Sequence, residues 1–322
     1  MDQYVLIGMK NTCSYITLFE LADLFGIDNV EKILSEHEND YSKRCREYIV
    51  NSIGLYKRKD EIKDREIEIS LPSKGYLMKQ ETKQVLEKIK DFKFFKDKRA
   101  VLIGGTALSI HLQHRLSEDL DFMFYNDDKL PKDEMLLFKE KYNAEFMPFD
   151  NLTKQEFLNE GGDIEDYQQR FIIDGIKIEF VINTGNILEK DIINENNIEE
   201  FEGIPIASLK SLIIMKSLLL VDRNKIRDLY DMVYMMKNNL LTADEFIDII
   251  KKYRLTYDEN YILNKLKNKE LSIYDEGLEN LIGNPPSFEK LKEYLIDKIE
   301  KSMIKKANEF QRGKTPFKKR SF

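Results

Sequence analysis

Tryptophan is absent from the 322 residues, cysteine occurs twice, histidine three times and proline seven times. Each shortage removes a class of explanation. Cys13 and Cys45 are spaced neither as metal ligands nor as a redox pair, so no disulfide framework or zinc–cysteine centre is expected. Two thiols in a chain of this size suit a reducing compartment. His111 and His114 lie three apart with no cysteine or third histidine nearby, which points to surface or supporting roles rather than zinc. No apolar run is long enough to span a bilayer; the best candidate, 209–221, is interrupted by Lys210 and Lys216. The start, Met1-Asp2-Gln3-Tyr4, lacks the basic and apolar stretches of a secretory signal. A cytoplasmic protein without a membrane partner is therefore expected. Excess positive charge is missing too. A net charge of -7 excludes coating of nucleic acid through bulk charge but leaves room for a local basic patch.

What is present is an ordinary globular composition, 42% hydrophobic and 34% charged, on a length that suggests about two domains. With Phe and Tyr plentiful, the core is expected to rest on Phe, Tyr, Leu and Ile. Residues 1–75 look helical and charged. Thr17 to Gly26 has helical spacing, and with Val30 to Leu34 it faintly suggests a helix-turn-helix; a small packed extension is the plainer alternative. Pro72-Ser73-Lys74-Gly75 marks a boundary. A helix over about 82–92 follows, then a short buried strand at 100–103. Gly104-Gly105-Thr106 turns the chain into a helix running to about Gln113, and a strand occupies 120–124. Asp174-Gly175 separates two apolar runs, 170–173 and 176–182, and predicts a type I′ hairpin. Beyond Pro205 the pattern is helical: 209–236 as one helix or two joined near Asp222, then 243–253, then 288–307 after Asn284-Pro285-Pro286. The C-terminal tail is basic, with Lys314, Lys318, Lys319 and Arg320. The order implies an α+β catalytic domain over 76–205, a helical extension over 1–75 and a helical domain with a basic tail over 206–322.

Asp119 and Asp121 carry the first chemical signal. Among 58 acidic residues an acid-x-acid pair arises about ten times by chance, so the pair needs its context. Leu120 and Phe122 alternate with the aspartates, as on a strand with one face in the core, and the two carboxylates then share the other face. Like charges set side by side are tolerated where a cation relieves them. The Gly-Gly-Thr turn ends a strand and opens a helix, which aims backbone N–H groups at whatever lies above the sheet edge. Such a turn is more often a tight connection than a phosphate site, and it lacks the Gly-Lys-Ser/Thr of a P-loop. Glu179 lies on the mostly apolar strand 176–182, where an unpaired carboxylate costs several kcal/mol. Pairing across the hairpin puts Arg170 opposite Glu179, so a cross-strand ion pair accounts for it without metal, and the two roles are compatible.

Ile103-Gly104-Gly105 followed by Asp119-Leu120-Asp121 resembles the hG[G/S]…DhD motif of the polymerase β nucleotidyltransferase superfamily. More narrowly, Gly104-Gly105-Thr106-Ala107-Leu108 with His114-Arg115-Leu116-Ser117-Glu118-Asp119-Leu120-Asp121-Phe122 resembles the AbiEii-like nucleotidyltransferase toxins of abortive-infection and toxin–antitoxin systems. Lys216 and Arg227-Asp228-Leu229-Tyr230-Asp231 match that family's downstream segments, and the resemblance covers about 95–240. It implies a polymerase β-like α+β fold with a mixed or antiparallel sheet and Mg²⁺-dependent (or Mn²⁺-dependent) transfer of NMP from an NTP. Gly104, Gly105 and Thr106 would hold the triphosphate, and Arg115 and Ser117 would shape that site. Asp119, Asp121 and Glu179 would bind metal, and Lys216 and Asp228 would reach the nucleotide, with Asp231 a weaker candidate. It also implies an RNA acceptor, tRNA above all, and a cognate antitoxin. The tail would suit a phosphate backbone or simply keep the terminus soluble. In an unbroken helix Asp228 points away from Lys216, so their meeting requires a bend near 222–224. Without it, 223–231 is a solvated charged face. Two other functions share the signals. A DxD glycosyltransferase would need a Rossmann-like sheet, and a non-catalytic nucleotide- or nucleic-acid-binding regulator would keep the fold without turnover.

Overall fold

A computed structural model describes residues 4–9, 12–17, 67–71, 78–271, 275, 277–279 and 281–312. The chain divides into two compact units. The first comprises 1–69, 235–272 and 287–322, and the second 70–234 and 273–286. The sheet's unit thus runs on past residue 205 and takes back a short later segment.

In the first unit β1 (Tyr4–Met9) and β2 (Thr12–Thr17) form an antiparallel hairpin, where the sequence suggested helix. The suggested helix-turn-helix over 17–34 and the basic tail beyond 312 lie outside the described residues. The remaining elements of this unit are named with the later chain below.

The second unit carries a seven-stranded mixed sheet. Its elements in chain order are α1 (Gln80–Ile89), α2 (Lys93–Lys96), β3 (Ala100–Ile103), α3 (Gly104–Leu112), β4 (Leu120–Phe124), α4 (Lys132–Tyr142), β5 (Glu145–Phe146), α5 (Asn151–Asn159), β6 (Gln168–Ile173), β7 (Ile176–Ile182), α6 (Ile187–Lys190), β8 (Ile198–Phe201), β9 (Ile204–Ala207) and α7 (Leu209–Asp222). Next comes α8 (Ile226–Lys237), within which the two units divide, and the first unit then continues with α9 (Ala243–Tyr253), α10 (Glu259–Lys267) and α11 (Phe288–Arg312). The strand order is β5-β6-β7-β4-β3-β9-β8. Among the described residues no helix is long and apolar enough to cross a membrane.

Alternation fixes the faces of this sheet. On β4 and β7 the even residues, Leu120, Phe122, Phe124, Ile178, Phe180 and Ile182, are buried, while the odd ones are partly open. Phe180 stacks on Phe122 with ring centroids 5.5 Å apart, and Phe94 and Phe138 meet it edge-on at 5.3 and 5.2 Å. Phenylalanine thus fills the volume that tryptophan often takes, in the tilted geometries that aromatic quadrupoles favour. The odd face, bearing Asp121 and Glu179, is left for chemistry. The hairpin forms as its turn residues dictate, with Asp174 and Gly175 at φ of 51° and 80°. Glu202 and Gly203 make a second turn of this kind between β8 and β9.

Candidate functional site

The antiparallel hairpin places Glu179 on the same face as Gln168 and Arg170, and the parallel pairing of β4 with β7 sets Asp121 directly beside Glu179. Asp119, two residues earlier, falls on that same face. Burial pushes the Asp121 carboxyl up to about 6, and the neighbouring Glu179 and Asp119 carboxylates add to the rise against the opposing pull of Lys177 and Lys216. The Asp121 carboxyl therefore feels both of the other acids.

Gly104 and Gly105 open α3 at the end of β3. Gly104 has φ +73°, and a Cβ there would collide with the Asp121 carboxylate. A Cβ on Gly105 would come 2.8 Å from Arg115 Nη2 and 3.3 Å from Ser117 Oγ. The glycines thus let an acid, an arginine and a serine crowd the first turn of the helix. Thr106 does a different job from the one its position suggests. It is fully buried, its hydroxyl binds Ser117 Oγ at 2.7 Å and the Asp119 carbonyl, and it does not line the cavity. Thr82 holds the Glu118 carbonyl at 2.7 Å. Two threonines therefore fix the 117–119 segment that delivers Asp119.

The wall facing the sheet comes from α7 and α8. The helix stops at Arg223, whose backbone is extended (φ -136°, ψ 161°), and restarts at Ile226, with the Ile226 N–H donating to Asp275 Oδ2 at 3.0 Å. This is the bend that the separation of Lys216 from Asp228 required. Lys216, only 4% exposed, reaches Asp228 Oδ1 at 2.7 Å and Asp231 Oδ2 at 2.8 Å. Arg223 clasps Asp228 through Nε at 2.6 Å and Nη2 at 3.1 Å. So Asp228 and Asp231 do not belong to a solvated face, both being fully buried, whereas Arg223 and Lys225 are exposed.

Asp231 anchors a second layer. It accepts from Arg115 Nε at 2.7 Å and Nη2 at 3.1 Å and from His114 Nε2 at 2.7 Å. Burial opposes its ionisation, but Arg115, Lys216 and His114 overcome that and hold the carboxyl well below the usual range. Asp228 is likewise held down by Lys216 and Arg223 against its burial. Burial lowers the His114 pKa, with Arg115 and Lys216 adding to the effect and Asp231 opposing it. A neutral ring with the proton on Nε2 fits this setting, since buried Nδ1 has no partner to receive a second one. His111 instead meets the Ala207 carbonyl at 2.9 Å.

Between these layers lies a cavity of about 470 Å³, its lining including Gly104, Gly105, Arg115, Ser117, Asp119, Asp121, Lys177, Glu179, Lys216, Arg223, Arg227 and Asp228, all in the sheet-bearing unit. Of the expected site residues only Thr106 and Asp231 stand behind this lining. Sequence reasoning passed over Lys177, although its parity with Glu179 on β7 marks it as a neighbour on the same face. The expected Arg170–Glu179 pair does not form. Arg170 donates to the Pro148 carbonyl at 3.1 Å and packs over Phe149 at 4.0 Å, whereas Glu179 is held by Gln168 and by Lys177 Nζ at 2.6 Å.

For a metal, the donor chemistry is right and the third arm is engaged elsewhere. Oxygen donors suit a hard cation such as Mg²⁺, and Asp119 and Asp121 offer them on one face. Among the described residues no group of three His, Cys, Asp or Glu side chains is disposed to hold an ion, with Glu179 turned onto Gln168 and Lys177.

A model of the nucleotidyltransferase AbiEii toxin family, of type IV toxin–antitoxin systems, matches residues 89–312. An uncharacterised protein of Aquifex aeolicus (strain VF5) is 26% identical over 224 residues, which cover 69% of this chain and 96% of that protein. Among solved structures, JHP933 from Helicobacter pylori is similar at 18% identity, covering 76% of this chain and 98% of its own, with a TM-score of 0.41. A second H. pylori structure, provisionally assigned as a nucleotidyltransferase, covers 71% of this chain and 95% of its own at 18% identity and a TM-score of 0.40.

Proposed function

Since the chain belongs to the AbiEii nucleotidyltransferase toxin family, we propose that it transfers NMP from an NTP to a hydroxyl of RNA, tRNA foremost, using a divalent metal. The observation that carries this reading is the register of Asp121 beside Glu179, with Asp119 on the same face against a glycine corner. Burial, with the Glu179 and Asp119 carboxylates adding to it, pushes the Asp121 carboxyl up to about 6, and a cation opposite these acids would relieve them.

In this reading Asp119 and Asp121 hold Mg²⁺ or Mn²⁺, with Glu179 as the third carboxylate. The ion would supply charge neutralisation at the phosphates and acidify the attacking hydroxyl. The chain's own residues do the rest. The first turn of α3, with Gly104 and Gly105 bare, presents backbone N–H groups to phosphate oxygens. Lys177, Lys216, Arg223 and Arg227 give the cavity cationic side chains, and Arg115 and Ser117 shape its floor beside Gly105. The acceptor hydroxyl attacks the α-phosphorus in line, its proton passes to Glu179, and pyrophosphate departs. Asp228 aims Lys216 and Arg223. Asp231 holds Lys216 and Arg115 from behind, and Thr106 acts through the 117–119 segment rather than on phosphate. A cognate antitoxin as partner and a cytoplasmic setting complete the proposal.

The test is transfer itself. Each α-³²P NTP, with Mg²⁺ or Mn²⁺ and total RNA, is incubated with wild type and with the Asp119→Ala/Asp121→Ala variant. Wild type should label RNA from at least one NTP, and the variant and an EDTA control should not. Equal labelling by wild type and variant would remove the reading.

A further inference from the structure

Lys177 is the cation that meets Glu179 on the acidic face of the sheet, and its place is specific. It sits two residues before Glu179 on β7, so strand parity sends both side chains to the cavity side. Its Nζ lies 2.6 Å from Glu179 Oε2, while Gln168 occupies the other oxygen. The ammonium thus sits against one of the three carboxylates that share this cavity.

We infer that Lys177 is a built-in competitor of the divalent cation, occupying Glu179 until metal binding displaces it. The inference rests on the metal reading of Asp119 and Asp121 given above. It follows from the geometry that both oxygens of Glu179 are engaged, and that Asp119 and Asp121 line the same cavity. An ion can start on Asp119 and Asp121, but recruiting the third carboxylate means breaking the contact with Lys177. That rupture subtracts from metal affinity. The released ammonium stays tethered in a cavity built for an anion, where a phosphate group takes over from the carboxylate. Free protein should therefore load metal weakly, and the lysine should be the reason.

The experiment measures metal, not turnover. Mn²⁺ binding to nucleotide-free protein is followed by electron paramagnetic resonance for wild type, Lys177→Met, Lys177→Gln, Glu179→Gln, the Lys177→Met/Glu179→Gln pair and Asp119→Ala/Asp121→Ala. Lys177 is one-third exposed, so its replacement should leave the melting curve in place. Both lysine variants should tighten Mn²⁺ by about tenfold, the scale on which partners of metal ligands act. In the Glu179→Gln background the gain should be less than about threefold, because no third carboxylate remains to be released. Unchanged or weaker binding in both lysine variants overturns the inference, as does an equal gain in both backgrounds, which would signal mere charge removal. If Mn²⁺ binding by wild type is absent or indifferent to Asp119→Ala/Asp121→Ala, the metal reading itself fails, and this inference with it.

Discussion

Gly104 and Asp121 can share their space only because one of them has no side chain. Gly104→Ala would strain a backbone at φ +73° and drive a methyl into the carboxylate. A displacement of about 1 Å at a reacting centre costs on the order of 100-fold in rate. We expect NTP-dependent labelling to drop by about that factor, with a stability loss of about 1–2 kcal/mol read by urea unfolding. Asp231 and Asp228 differ in a way that unfolding can also read. Asp231→Ala strips Arg115 and Lys216 of a carboxylate in a site closed to solvent, and breaking such a pair costs about 3–5 kcal/mol. Asp228→Ala should cost less, since Lys216 keeps Asp231 and the Arg223 side chain, 49% exposed, can turn to water. Similar losses in the two variants would contradict this ranking.

Two buried groups in contact, His114 and Asp231, shape the response to acid. His114 has a folded pKa below its unfolded value of about 6.5. The unfolded chain therefore takes up the proton first, and stability falls as pH drops below about 6.5. Asp231, held well below about 4, contributes stability that is complete above the unfolded value and is lost as pH falls through the folded one. Urea midpoints measured from pH 7 to pH 3 should fall in two stages. His114→Leu should flatten the upper stage and Asp231→Asn the lower. Since Asp121, raised to about 6, works in the opposite sense over this range, the decisive comparison is between variants: a His114→Leu midpoint that falls from pH 7 to pH 5 as steeply as wild type would sink the assignment of a neutral His114.

At the scale of elements, local chemistry predicts some effects that leave the site alone. Thr242 and Glu245 close a reciprocal capping box at the start of α9. Thr242→Ala should cost about 1 kcal/mol in thermal unfolding while labelling stays at the wild-type level. Those elements with strong local signals were legible in advance: β3 and β4 fall on the expected residues, and the Asp174-Gly175 hairpin has the expected turn. The stretch from Lys132 to Asn159 was not. On α4, buried Met135, Phe138 and Tyr142 share the helix with exposed Leu136 and Leu137, which blurs its apolar face, and α5 buries nothing. Pro205 hid β9, because a missing N–H argues against an inner strand. In the site, the face shared by Asp119 and Asp121 followed from alternation, whereas Glu179 was tied to them by the family resemblance and meets Asp121 through the parallel register of β4 with β7. The grip of Lys216 on Asp228 and Asp231 depends on three non-helical residues, 223–225, whose angles no helical pattern specifies. Lys177 went unremarked because a lysine on a half-open strand face is unexceptional until its neighbour across the sheet is known.

At the scale of the whole molecule, the sheet-bearing unit is discontinuous, and its late segment 273–286 touches the site's supports. The Leu116 N–H donates to the Leu281 carbonyl at 2.9 Å, beside the segment that carries Arg115 and Ser117. Asp275 Oδ2 receives the N–H of Ile226, and the Gly277 carbonyl faces Arg227 Nε at 3.5 Å. A chain ending at residue 272 should therefore lose labelling even though every expected site residue remains in it, and its melting temperature should fall. Retention of full labelling by that shortened chain would show the late segment to be dispensable.

This discontinuity has a consequence for synthesis. The carboxylates and glycines leave the ribosome long before Asp275 and Leu281 do, yet the turn between α7 and α8 keeps an unfilled donor until those residues emerge. Asp275 follows Ile226 by 49 residues, so a nascent polypeptide closes this corner of the site only after that further stretch has been made.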